Sequence, residues 1–266
     1  MSTSEHAFCV LAYEESPHLE TCIASLLAQT VPSQVVLVTS TPSTFIEELA
    51  VKYELPIQVN RHHKGIGSDW TFAYRSSPAR YVTLAHQDDL YLPGYTERCL
   101  QRLSQERETL IVFTDYCEKV GNRLRKTNLN LTIKRLVLSV AFAFHKTHIQ
   151  SRFRKKGILR LGSSIPCPSV MYHKVQIGDF SFSDDYHVNL DWEAWLRLCD
   201  REGSFAWVRE PLLIHRIHEG SQTSLGIQEN LRSEEDRRLF EQIWPKPIAA
   251  ILHRLYAYSY VSNQSE

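Results

Sequence analysis

The sequence predicts an α/β fold: a doubly wound, mostly parallel central sheet with helices on both faces and a C-terminal helical extension. Two observations carry this. Over the first 118 residues, short β-rich runs alternate with stretches of helical apolar spacing, the signature of strands joined by crossover helices. At 266 residues the chain suits one large domain with at most a small appendage.

The elements follow in order. Residues 7–12 (AFCVLA) form a buried-strand candidate. Leu19, Cys22, Ile23, Leu26 and Leu27 then recur at helical spacing behind Ser16-Pro17, read as a cap and first-turn pair. Residues 35–39 (VVLVT) are the second strand and 43–53 the second helix. Residues 57–59 are a third strand, leading through HHKGIG into a helix from about Ser68. Residues 81–85 (YVTLA) make the fourth strand, 93–107 a helix with proline near its start, and 110–113 (LIVF) the fifth strand. Residues 119–165 read as a basic insertion with one or two helices, around the apolar run from Leu136 to Phe144. Two further helices, 226–244 and 247–261, are broken at Pro245-Lys246-Pro247. The expected organisation is a domain over 1–225 and a helical extension over 226–266. The domain comprises a first half (1–118), the insertion (119–165) and a second half (166–225).

Bulk properties narrow the function classes. A formal net charge of zero speaks against a dedicated nucleic-acid binder. The charge is nevertheless segregated: thirteen Lys or Arg lie between Lys119 and Lys174, with no Asp or Glu between Glu118 and Asp179. One face is therefore expected to meet something anionic, such as a glycan, a lipid or a membrane surface. A solvated basic face beside an ordinary core helix is the competing reading. The six cysteines have no C-x-x-C pairing and read as reduced packing residues. No apolar stretch reaches the ~20 residues of a membrane span, and the start lacks a signal-peptide pattern. The expectation is a cytoplasmic protein, with the inner face of the membrane as a further location.

In open α/β sheets ligands bind beyond the carboxyl ends of the strands, which directs attention to the loops after Ala12, Thr39, Asn60 and Ala85. The strongest local signal is Ala85-His86-Gln87-Asp88-Asp89. Adjacent carboxylates at a strand end suit a hard cation, Mg2+ or Mn2+, whose shell is completed by phosphate oxygens and water; they equally suit a turn. Gly65-Ile66-Gly67-Ser68-Asp69 precedes a helix and reads either as an anion-binding turn or as a plain turn with Ser68 as N-cap. Asp191, in Asn189-Leu190-Asp191-Trp192, shares a helical face with Trp195 and Leu198 and suits an N-cap. His215 and His218 are too few for a closed zinc site.

With these segments in order, CVLAYEESPHLETCIASLLAQT, YVTLAHQDDLYLPGY, IGDFSFSDDYHVNLDWEAWLRL and LIHRIHEGSQTS, the chain resembles the family 2 glycosyltransferases of the GT-A fold over about residues 7–224. The resemblance implies an inverting, metal-dependent transferase that moves a sugar from a nucleoside-diphosphate donor, a UDP-sugar by preference, to a hydroxyl acceptor in bacterial surface glycan or glycolipid synthesis. It places His86-Gln87-Asp88 on the D-x-D metal motif. It implies Asp88 as a metal ligand, with Asp89 and His218 assisting, and Asp191 as catalytic base ahead of its rivals Asp184 and Asp185. Ala12, Tyr13, Glu14, Thr39, Asp69, Gln87, Asp88 and Arg216 are the implied donor-binding set, with Ser221 and Thr223 as hydroxyl donors. Tyr13 also reads as a mere cover for the sheet edge. Three positions depart from the pattern: Thr39-Ser40-Thr41-Pro42 replaces acidic residues expected at the base, His86 replaces a metal carboxylate, and Leu190 replaces a glutamate. The alternatives are a sugar-nucleotide nucleotidyltransferase, which lacks its basic glycine-rich loop here, and a catalytically degenerate nucleotide- or glycan-binding module.

Overall fold

A computed structural model describes residues 5–62, 65–143, 146–218 and 231–264, with side chains to 257 in the last helix. The described residues form one ten-stranded mixed sheet flanked by helices. Its N-terminal part is the expected parallel array: β1 (His6–Leu11), β2 (Gln34–Thr39), β3 (Ile57–Val59) and β4 (Tyr81–His86), in the order β3-β2-β1-β4. The crossovers are α1 (Leu19–Leu27), α2 (Thr44–Lys52) and α3 (Ile66–Ser76).

Side-chain alternation along these strands builds a core on each face. Ala7 and Cys9 of β1 join one apolar cluster, and Phe8 and Val10 join the other. All four are fully buried, which is why the strand reads as a continuous apolar run. Ser43 caps α2, its hydroxyl accepting from the Ile46 N–H at 3.3 Å. Two expected caps sit differently. Helix α1 begins at Leu19 behind His18, and α3 begins at Ile66 behind Gly65. Gly65 has φ of 130°, a conformation that favours glycine, and Ser68 lies inside the helix.

The chain continues through β5 (Leu90–Tyr91), α4 (Tyr95–Gln105) and β6 (Thr109–Val120). Strand β6 is longer than the apolar run 110–113 and enters the basic segment, where it turns back as β7 (Arg123–Arg125). The expected helices of that segment are α5 (Leu129–Ala141) and α6 (Arg152–Gly157), with β8 (His148–Ile149) between them. Asn128 caps α5 by accepting from the Leu131 N–H at 2.7 Å. Several of the basic residues are structural: Lys155, only 1% exposed, donates to the carbonyls of Arg201 and Gly203 at 2.7 and 2.8 Å, and Arg135 pairs with Asp115 at 2.7 Å.

A one-turn helix, Cys167–Ser169, leads into β9 (Val170–His173), which runs antiparallel between β4 and β6. The short helix α7 (Lys174–Ile177) and α8 (Leu190–Cys199) follow. Strand β10 (Ser204–Ile217) runs parallel to β6, and its register shifts around Pro211. Proline cannot donate to a ladder, so a bulge is where it fits. Beyond the bulge β10 also pairs antiparallel with β5, Leu213 opposite Tyr91 and Ile214 opposite Leu90. That pairing delivers residues 215–218 to the loop after β4. Helices α9 (Leu231–Ile243) and α10 (Lys246–Gln264) close the described chain. Among the described residues no helix is long and apolar enough to cross a membrane, and all six cysteines are buried and unbridged.

Candidate functional site

The carboxyl ends of β1, β2 and β4 meet in a connected set of polar side chains. Strand β4 ends by aiming alternate residues to opposite faces. Leu84 packs in one core, Ala85 in the other, and the His86 ring lies 5.0 Å from Trp70 on the α3 side. Burial lowers the His86 pKa, so this imidazole is neutral.

Gln87 ties the first and fourth strand ends together. Its amide accepts from the Tyr13 N–H at 3.0 Å and donates to the Tyr13 carbonyl at 2.9 Å. The next residue, Glu14, has φ of 51° and donates its N–H to Thr41 Oγ1 at 2.7 Å. A non-glycine residue held there is the kind of local strain that recurs at ligand sites. Thr39 is buried and receives the Thr41 N–H on its hydroxyl at 3.0 Å. Asp69, on α3, accepts from Ser40 Oγ at 2.7 Å and from Asn60 Nδ2 at 2.8 Å. Tyr13 leaves 43% of its surface exposed beside this group.

Asp88 and Asp89 face different ways. Asp88 accepts from Ser16 Oγ at 2.7 Å, and its other oxygen is 3.1 Å from His218 Nε2. Arg216 Nε donates to the Asp88 carbonyl at 2.9 Å, and the His18 and His218 rings meet edge to face at 5.5 Å. Asp89 is 1% exposed and turns to β10, taking His215 Nδ1 at 3.0 Å and the Arg216 N–H at 2.9 Å. Burial alone would raise the Asp89 pKa. The His215 charge and hydrogen bond outweigh it and hold the carboxyl below the ordinary range. Asp89 therefore locks β10 to the β4 loop, while Asp88 and His218 pair with each other at its partly exposed rim. No group of three or more His, Cys, Asp or Glu side chains among the described residues forms a closed metal cage.

Asp191 comes from a different element, α8. It is the second residue of α8, behind the N-cap Asn189, and so is not itself the cap. Its Oδ1 accepts from the Trp192 N–H at 2.6 Å. Burial raises its pKa to about 6, against the opposing pull of backbone N–H groups, Arg232 and Lys134. The Cys167–Ser169 turn is near both carboxylates: the Cys167 thiol feels the charge of Asp191 and of Asp89. Trp192 and Trp195 fix α8 by donating indole N–H bonds to the Leu159 and Ile165 carbonyls at 3.1 and 3.0 Å.

Arg197 points away from Asp191, pairing with Glu193 at 2.6 Å and with the Ser181 carbonyl, and Asp184 and Asp185 are exposed loop acids. Ser221 and Thr223 lie outside the described residues. The sequence reading named Asn60 only as a loop start and Ser40 only as a departure from the pattern, and gave neither its role of holding Asp69. It missed Glu235 and Asp236 of α9. Glu235, 2% exposed, accepts the N–H groups of His187, Val188 and Asn189 at 2.6, 3.0 and 2.8 Å. Asp236 accepts from Asn189 Nδ2 at 2.9 Å. A signal existed: two adjacent acids inside an amphipathic pattern sit on its buried side, where unpaired carboxylates are rare.

Comparison with known proteins agrees with this geometry. A family profile described as glycosyl transferase family 2 matches residues 7–171. No curated protein matches the chain in sequence. Among solved structures, residues 1–349 of TarS from S. aureus superpose with a TM-score of 0.64 at 12% identity, covering 98% of this chain and 73% of that one. The same fragment in complex with UDP-GlcNAc gives 0.60 at 14% identity, covering 93% and 70%. Mannosyltransferase PcManGT from Pyrobaculum calidifontis, in complex with GDP-Man and Mn2+, gives 0.61 at 13% identity, covering 96% and 69%. These neighbours share the GT-A glycosyltransferase fold, and with the family match over more than half its length the chain belongs to glycosyl transferase family 2.

Proposed function

We propose that the protein is an inverting glycosyltransferase that moves a sugar from a nucleoside-diphosphate donor, first of all a UDP-sugar, to a hydroxyl acceptor, with Asp191 as general base. One observation carries the reading. The β4 loop and the end of β10 converge through the Asp88–His218 and Asp89–His215 pairs, with a carboxyl of raised pKa near the Cys167–Ser169 turn. Asp89 and Asp191 both act electrostatically on the Cys167 thiol, which groups the two carboxylates around one stretch of backbone. The TarS complex with UDP-GlcNAc and the PcManGT complex with GDP-Man and Mn2+ support the donor class.

Asp88 and His218 fit a divalent cation as a two-ligand site, the usual arrangement when phosphate oxygens and water complete the shell. Mn2+ or Mg2+ bound there would offset the charge that develops on the departing diphosphate. Asp89 would serve indirectly, by holding His215 and the Arg216 backbone. Arg216, anchored through Nε, is the protein's own cation for the diphosphate. Ala12, Tyr13, Glu14, Thr39 and Asp69 line the nucleoside side, and Gln87 keeps that side in register with Asp88.

A carboxylate with a pKa of about 6 is a stronger base than an ordinary aspartate, yet is ionised at neutral pH. Asp191 takes the acceptor hydroxyl proton as that oxygen bonds to the anomeric carbon. The bond from this carbon to the diphosphate oxygen breaks on the opposite face, inverting the centre. We assign residues 1–225 to the transferase domain and 226–266 to a helical extension. The reaction belongs to the cytoplasmic side, at the inner face of the membrane where the acceptor is lipid-linked, in the assembly of surface glycans. A thermal-shift panel of nucleotide sugars with and without Mn2+ tests the reading. A true donor at a hundredfold its Kd should add about 2.7 kcal/mol of stability. A flat response to every nucleotide sugar would remove the proposal.

A further inference from the structure

Helix α5 is apolar on two opposite faces, and only one of them is packed. Leu131 and Leu138 point inward, 1% and 3% exposed. Leu129, Ile133, Leu136 and Val140 recur at steps of four, three and four, which places them on a single stripe of the opposite face. They are 74%, 45%, 59% and 61% exposed. A helix that needed only to cover the core would carry polar residues there. Helix α10 repeats the arrangement on a smaller scale, with Ala249 buried and Ile248, Ile251 and Leu255 outward. Ten of the fifteen large hydrophobic side chains exposed among the described residues lie either between residues 119 and 174 or on α10. Exposed apolar surface and an excess of basic residues therefore fall on the same part of the chain, although Arg135, Arg152 and Lys156 pair with acids from elsewhere.

The charge identifies the partner. Arg123 and Lys126 precede the stripe and Lys146 follows it, all exposed. No acidic residue between Glu118 and Asp179 offsets them. We propose that the outward face of α5 docks on an anionic lipid surface, with the stripe entering the acyl boundary and the flanking bases meeting the headgroups. A second copy of this chain is the weaker occupant, because the basic residues would then face one another. The inner edge of the same helix is tied to the site: Lys134 donates to Tyr116 Oη at 2.9 Å, and its charge reaches Asp191. If Asp191 is the base proposed above, docking sets the acceptor hydroxyl close to the bilayer, which suits a lipid-linked acceptor.

Docking requires no transfer activity, so flotation of the full chain reads it directly and can fail while the transferase reading stands. The probes are phosphatidylcholine vesicles with and without about 30% phosphatidylglycerol. The protein should float with the anionic vesicles only. Arg123→Gln with Lys126→Gln should weaken binding roughly 25-fold at low salt. Leu136→Gln with Val140→Gln should weaken it by about tenfold or more at any salt. Both pairs are solvent-facing, so melting temperatures should hold; if the apolar pair lowers it, the basic pair still decides. No flotation with anionic vesicles overturns the proposal. So does sedimentation of a dimer that the Leu136→Gln, Val140→Gln pair dissociates, since the face would then belong to a second copy.

Discussion

Replacing Asp191 by Asn should abolish transfer and stabilise the protein, and the pH at which each effect appears is set by one carboxyl. Burial lifts the Asp191 pKa from 3.8 to about 6. At 1.36 kcal/mol per pH unit, the ionised carboxylate costs the fold roughly 3 kcal/mol relative to the unfolded chain. The folded state binds this proton more tightly than the unfolded state. The associated stability is therefore fully present below pH 4, declines as pH rises through 4 to 6, and is gone above about 6. The amide of the Asp191→Asn variant has no proton to lose in this range. The variant's advantage over the wild type should grow between pH 4 and pH 7 by that same roughly 3 kcal/mol. With about 2 °C per kcal/mol for a chain of this size, that is on the order of 6 °C in melting temperature. Catalysis should run the other way, with kcat of the wild type rising through an acid limb near pH 6. The variant should lose at least about a hundredfold in kcat, the lower range for removing a general base. Two results would refute the reasoning. A melting difference that does not change with pH would mean the carboxyl is not desolvated. Near-normal turnover with the acid limb intact would give the proton to another group.

Substitutions at four further positions test the frame around that residue. Asp88→Ala and His218→Ala should each abolish the effect of Mn2+ on nucleotide-sugar titrations while leaving the melting temperature without ligand within about 2 °C, as expected for partly exposed groups; an undiminished Mn2+ effect in both would move the cation elsewhere. Glu235→Ala leaves three backbone N–H groups at the start of α8 without their carboxylate and should cost on the order of 3 kcal/mol, read as a drop in melting temperature, with Glu235→Gln costing less. In Gly67→Ala the added methyl meets the Ser183 carbonyl oxygen at 2.5 Å, so α3 must shift. About 1–3 kcal/mol of stability should be lost, and calorimetric donor titration should weaken because Asp69 rides on the same helix.

The parallel half of the sheet was legible because its strands are buried on both faces. A run such as Val35–Val38 leaves few other options. What was less visible has a common cause, pairing that depends on distant partners. Strand β6 continues through the polar residues Glu118 and Lys119 because β7 and β10 pair with them, not because of their own propensity. The four residues of β9 form a strand only where β4 and β6 leave an antiparallel slot. Ser16 shows the same limit on a small scale. Beside Pro17 it reads as a helix cap, but its hydroxyl goes to Asp88, 72 positions away, and α1 starts later.

The site divides along the same line. Short motifs drew attention to Asp88 and Asp191, the residues proposed above as cation ligand and base, because carboxylates at strand ends and helix starts leave a local trace. Their division of labour was not local. Asp88 and Asp89 are adjacent and chemically identical, yet the backbone sends Asp89 to His215 and leaves Asp88 with Ser16 and His218. Support for Asp191 comes from still farther along the chain. The turn leading into its helix has three N–H donors that need an acceptor, and Glu235 supplies one from α9, 46 to 48 positions on. The family match ends at residue 171, yet the helix bearing the proposed base takes its capping charge from beyond residue 230. In physical terms the C-terminal helices bear on the proposed base, because Glu235 holds the turn before its helix and the Arg232 charge pulls the Asp191 pKa down against burial.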